Sequence, residues 1–124
     1  MWIKYNPNPR GNSRAGDCVI RGITKLTGKP WEDVYTELSI YGYSFGDWGN
    51  SNAVFDAYLR DQGYKRSVIP NSCPNCYTVV QFCKDNPSGR FLVCTGRHVI
   101  GIENGDYYDS WDSGGEMPIY YYHK

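Results

Sequence analysis

The strongest constraint on this chain is a change of hydrophobic period at Gly63. Upstream of it, apolar residues recur at helical spacing in three blocks: Val19, Ile20, Ile23 and Leu26; Trp31, Val34, Tyr35 and Leu38; Val54, Phe55, Tyr58 and Leu59. Stop and start signals separate the blocks. Gly28 ends the first helix, Pro30 suits the first turn of the second, Ser51 or Asn52 caps the third, and Gly63 closes it. Downstream, the runs 64–69, 90–94, 97–103, 106–111 and 119–122 are short and strand-like, with one short helix capped by Thr78 and running through Cys83. Helices first and strands second predict an α+β fold, with N-terminal helices packed on a C-terminal antiparallel sheet. Residues 1–16 read as an extended lead-in and residues 41–52 as an aromatic-rich loop.

At 124 residues the chain suits one domain, 1–124. Thirteen basic residues balance thirteen acidic ones, so no polycationic grip on nucleic acid is expected. The charges are unevenly placed, however. Residues 1–30 hold six cations against Asp17, and residues 99–124 hold five anions against Lys124, so the two ends suit each other or an outside partner. No run reaches the roughly 20 apolar residues of a membrane span, and the start lacks a signal-peptide pattern. A cytoplasmic protein with reduced thiols is the expectation.

Five cysteines cannot all pair within the chain. Cys18 falls at the first turn of the first helix, in Gly-Asp-Cys-Val-Ile-Arg, where unpaired N–H groups and the helix dipole favour a thiolate. Cys83 falls mid-helix and Cys94 in an apolar strand, where burial favours the neutral thiol. Of two histidines, His98 opens a strand that runs into Asn104-Gly105, a strong hairpin signal. With a two-residue loop, paired positions sum to 209: Glu103 opposes Asp106, His98 faces Trp111, and Asp109 is its diagonal neighbour on the same face. A three-residue loop would put Asp112 there instead. The turn type decides which carboxylate orients the imidazole. A backbone N–H at Cys18 and the side-chain amide of Asn12, six residues earlier, are candidate donors to a developing oxyanion.

A Cys opening the first long helix, an amide residue six positions before it, and then a His and an Asp on successive strands resemble the papain-like cysteine peptidases. The small bacterial and phage proteins described as C39-like are the nearest in pattern. The matching blocks, Gly-Asp-Cys-Val-Ile-Arg, Arg-His-Val-Ile-Gly-Ile and Tyr-Asp-Ser-Trp-Asp-Ser-Gly, span residues 12–114 with Asn12. The resemblance implies a papain-like fold, a peptide or protein substrate, and hydrolysis through a thioester without metal or cofactor. It implies Cys18 as nucleophile, His98 as base and acid, Asp109 as orienting residue and Asn12 in the oxyanion hole. Papain carries Gln where Asn12 stands and Asn as its third member, whereas Asp109 suits the C39-like pattern. The chain is also much shorter than papain, so its cleft must be walled by short loops, of which 41–52 is the candidate.

Two alternatives stand beside this reading. Cys73-Pro-Asn-Cys76 is a CxxC that would need Cys83, Cys94 or His123 to complete a zinc site. A papain-like fold can also serve as a binding module without turnover. His123 otherwise reads as a surface strand residue.

Overall fold

The computed structural model describes residues 1–70 and 74–124. The first helix, α1, covers Cys18–Thr27 and ends at Gly28, whose left-handed backbone (φ +77°) returns its N–H to Thr24. Helix α2 covers Trp31–Phe45, and α3 covers Asn52–Asp61, where the Ser51 hydroxyl accepts from the Val54 N–H. Helix α4 covers Val79–Asp85 and starts in a reciprocal cap between Thr78 and Gln81. The strands are β1 (Trp2–Lys4), β2 (Lys65–Val68), β3 (Arg90–Cys94), β4 (Val99–Glu103), β5 (Asp106–Asp109) and β6 (Tyr120–His123). They form one sheet in the order β1-β5-β4-β3-β6-β2.

The class is α+β as expected, with two corrections. The sheet is mixed rather than antiparallel, because β1, inside the supposed lead-in, pairs parallel with β5. Three residues carry too little pattern to read as a strand. Their pairing is set by a neighbour more than a hundred positions away, with Lys4 opposite Asp109.

The other correction concerns residues 41–45, which continue α2 rather than open a loop. Tyr41 packs edge-on against Tyr58 (5.3 Å between centroids) and its hydroxyl donates to Asp61 (2.6 Å), which ties this last stretch to α3. Gly42 is no helix breaker. A Cβ there would stand 2.6 Å from the Asp47 carbonyl, so the glycine lets the chain fold back on the helix. Tyr35, expected on the apolar stripe of α2, is half exposed and stacks on Trp31.

Helices α1 to α3 cover one face of the sheet, with Ile23, Leu38, Phe55 and Leu59 meeting Leu92, Cys94 and Tyr122. On the other face, α4 brings Val79, Phe82 and Cys83 onto Val93, Ile100, Ile102 and Tyr107. Strand β3 thus sends alternate side chains into two cores. Helix α1 lies very close to β4. A Cβ at Gly101 would meet the Lys25 Cβ at 2.6 Å, and one at Gly22 would meet the Leu92 Cδ1 at 2.5 Å. This approach joins the basic N-terminal third to the acidic C-terminal strands, through Arg21–Asp109 (3.0 Å) and Lys25–Glu103 (3.3 Å). Among the described residues no helix is long and apolar enough to cross a membrane.

Candidate active site

The β4–β5 hairpin has the two-residue turn. Glu103 pairs with Asp106, Ile102 with Tyr107 and Gly101 with Tyr108, and Asn104 and Gly105 both have positive φ (50° and 80°). That conformation is a type I′ turn, which Asn-Gly favours. The register carries beyond the strand ends. His98 and Trp111 face each other with ring centroids 5.1 Å apart, and the His98 Nε2 lies 2.6 Å from the Asp109 Oδ2. Asp112 leaves for the other side, where it is exposed and accepts from the Tyr107 hydroxyl at 2.5 Å.

Each group is held by its element. His98 closes the turn between β3 and β4: its N–H donates to the Thr95 hydroxyl (3.0 Å) and its carbonyl accepts from the Thr95 N–H (2.8 Å). Asp109 ends β5, and its carbonyl accepts from the Trp2 indole (3.1 Å) and the Tyr5 N–H (2.9 Å), so the overlooked β1 clamps it. Cys18 is the first residue of α1, and Asp17 before it caps with its backbone but not its side chain. The first-turn N–H groups of α1 are therefore not covered by that carboxylate.

The thiol, the imidazole and the carboxylate form one chain. With Nε2 committed to Asp109, the other ring nitrogen is left for the Cys18 sulfur, which also accepts a hydrogen bond from the Val99 N–H. Burial raises the thiol's pKa, but the His98 hydrogen bond and charge, the Val99 N–H and the Arg21 guanidinium together bring it below the ordinary thiol value. Burial likewise disfavours a charged His98, yet its bonds to Asp109 and Cys18 win, and its pKa is pushed up to about 9. Each charge favours the other, so both shifts run toward a thiolate beside an imidazolium. Cys83 and Cys94 contrast with this. Burial pushes their thiols up to about 11 and about 12.

Asp109 is fully buried, and burial alone would raise its pKa. The hydrogen bond and charge of His98, the Ser113 hydroxyl and the Ser110 N–H hold it down instead. Oδ2 accepts from His98 and from the Ser113 hydroxyl (2.5 Å), and Oδ1 accepts from the Ser110 N–H (2.8 Å) and the Arg21 Nη2 (3.0 Å). Arg21 is itself buried, and its Nη1 donates to Asp17 (2.8 Å), whose other oxygen accepts from the Trp31 indole (2.9 Å). Sequence reasoning did not find Arg21 or Ser113. The Asp17–Arg21 spacing of four along a helix start was a usable signal. Nothing local pointed Ser113 at Asp109.

Asn12 is exposed in the lead-in, where its side-chain oxygen accepts from the Arg14 N–H (2.9 Å). That bond orients the amide and occupies its acceptor end. Asn12 also borders a cavity beside the start of α1. Of the proposed zinc ligands, Cys73 lies outside the described residues. Cys83 and Cys94 sit in cores on opposite faces of the sheet, and the His123 Nε2 bonds the Ser67 hydroxyl (2.8 Å). Among the described residues no group of three or more His, Cys, Asp or Glu is placed to hold a metal ion.

No family model, curated protein or solved structure matches this chain.

Proposed function

We propose that the protein is a papain-like cysteine peptidase that hydrolyses peptide bonds through a Cys18 thioester. The observation that carries this reading is a single imidazole shared between a helix-start thiol of lowered pKa and a buried carboxylate. Structural ion pairs also perturb pKa values. Here the perturbed thiol sits with a hydrogen-bonded base and an oriented third group, the arrangement that nucleophilic catalysis needs.

In the first half-reaction the Cys18 thiolate attacks the substrate carbonyl, and charge develops on the carbonyl oxygen. The Cys18 N–H and the Asn12 side-chain N–H₂ are the donors assigned to it. The tetrahedral intermediate collapses as the His98 imidazolium gives its proton to the leaving amine, which leaves a thioester and a neutral imidazole. In the second half-reaction His98 takes a proton from water, the hydroxide equivalent attacks the thioester, and the acid departs from the regenerated thiolate–imidazolium pair. Asp109 keeps Nε2 protonated throughout, so Nδ1 is always the nitrogen that exchanges protons with sulfur, water and leaving group.

Iodoacetamide labelling near neutral pH with peptide mapping tests this. The expected result is preferential alkylation of Cys18, abolished by His98→Ala. Uniform slow labelling of all five thiols would remove Cys18 from the chemistry.

A further inference from the structure

We infer that the outer face of α2, with the turn that follows it, is a docking surface for a lysine- and arginine-rich segment of another protein. The inference goes beyond the peptidase reading and stands without it.

Helix α2 turns Val34, Leu38 and Gly42 to the core. Its opposite side should then be polar. Instead Tyr35 is 51% exposed, Ile40 59% and Tyr43 90%. Tyr35, Ser39 and Tyr43 fall four apart along one row of the helix, with Ile40 in the neighbouring row. Trp48, 80% exposed, joins them. The Asp47 N–H bonds the Gly42 carbonyl (2.9 Å), and a Cβ at Gly49 would stand 2.9 Å from the Leu38 carbonyl. The chain thus runs back along the helix and brings Trp48 beside Tyr35 and Ser39. Tyr35, Ile40, Tyr43 and Trp48 together leave on the order of 500 Å² bare, as much as the largest apolar patch of a typical monomer. Tyr43 and Trp48 at these exposures contribute little to the core, and Tyr and Trp are the residue types that carry interface energy.

The charges say what covers this face. From Trp31 to Leu59 the sequence holds Glu32, Asp33, Glu37, Asp47 and Asp56 and no Lys or Arg. The cations at the borders of that stretch are committed, Lys29 to Glu37 (2.7 Å) and Arg60 to Asp56 (2.9 Å). Among the described residues no cation pairs with exposed Glu32, Asp33 or Asp47, so both ends of the aromatic row are negative. The chain as a whole is neutral, which makes this a local field. A nucleic acid or an anionic lipid surface would meet like charge there. A Lys or Arg side chain would meet a carboxylate for its head and a ring face for its stem. The fold uses the same pairing within itself: Lys25 lies over the Tyr108 ring (3.9 Å to the centroid) while its ammonium reaches Glu103 (3.3 Å).

The test is fluorescence anisotropy in about 0.15 M NaCl with a labelled dodecapeptide of alternating Arg and Leu. Two control peptides replace every Arg by Glu or every Leu by Ser. A face of this size suits a weak, transient contact, so a dissociation constant in the micromolar range is expected. The Arg–Leu peptide should bind at least about tenfold tighter than either control. Tyr43→Ala and Trp48→Ala should each weaken it about tenfold or more, and Asp33→Lys combined with Asp47→Lys by a similar factor. Val68→Ala, comparably exposed (72%) on β2, should change nothing. Absence of binding, equal binding of the Glu–Leu peptide, or binding that both aromatic variants leave intact overturns the inference. So does a concentration-dependent dimer in sedimentation velocity that Tyr43→Ala dissolves, because the occupant would then be a second copy of this chain. None of these readouts uses Cys18, so the catalytic reading stands or falls separately.

Discussion

Arg21 is the residue whose replacement should separate a supporting group from a bystander most clearly. Its guanidinium is buried and bridges two buried carboxylates, Asp17 at 2.8 Å and Asp109 at 3.0 Å. Arg21→Met keeps the length of the side chain and removes the charge and both donors. Breaking a buried ion pair by deleting one partner costs about 3–5 kcal/mol, because the survivor is left charged in a poorly solvated place. Asp109 keeps three other donors, including His98, and Asp17 keeps the Trp31 indole, so the lower end, about 3 kcal/mol, is expected. In a domain of this size that lowers the melting temperature by roughly 10 °C or more. The charge has a second effect. Arg21 is one of the groups that hold the Cys18 thiol down, so the pH midpoint of iodoacetamide labelling should rise in the variant, by less than it rises in His98→Ala. Arg21→Lys keeps the charge but not the fork that spans both carboxylates, and should fall between wild type and Met. Thermal melts together with labelling rates from pH 5 to 10 read both effects. Arg21→Met that melts with wild type and labels with an unchanged profile would refute the account of this network.

The remaining predictions concern the triad and its support. Cys18→Ala should abolish peptide hydrolysis and leave the circular dichroism spectrum unchanged, Asp109→Ala should leave measurable turnover, and exposed Asp112→Ala should be mild in a fluorogenic peptide assay. Truncating the second oxyanion donor in Asn12→Ala should lower kcat by about 10²-fold. In His98→Ala burial is the main influence left on Cys18, so its labelling midpoint should move above the ordinary thiol value. Linkage gives a stability test. His98, raised to about 9, favours binding a proton on folding, whereas the lowered Cys18 thiol favours releasing one, so in the wild type the two act in opposite directions. In Cys18→Ala only the His98 term remains: its stabilisation is full below about pH 6.5 and lost as pH rises through the folded pKa, so denaturation midpoints should fall on the alkaline side more steeply than in wild type. Finally, Gly101→Ala places a methyl 2.6 Å from the Lys25 Cβ, which can yield only if α1 moves off β4. A loss of about 1–3 kcal/mol in chemical denaturation, with slower Cys18 labelling, is expected.

What the amino-acid order determined by itself was local. Gly28, Ser51 and Thr78 act through their own neighbours, so three helix boundaries could be read from them. Asn104-Gly105 acts the same way, since its two positive φ angles set the hairpin register, and the register puts His98 on the face of Asp109 rather than Asp112. The period-two geometry of strands carries that information to residues beyond the ladder. Tertiary structure decided everything that needed a distant partner. Strand β1 exists because β5 offers it an edge, and α2 runs through Gly42 because the chain from Asp47 folds back on it. Arg21 became part of the site only when Gly22 and Gly101 let α1 settle on β4, which brings its guanidinium to a carboxylate 88 positions away. The same approach brings the Cys18 thiol to His98. Local chemistry selected which residues have the right groups, and close packing across the sheet decided which of them meet.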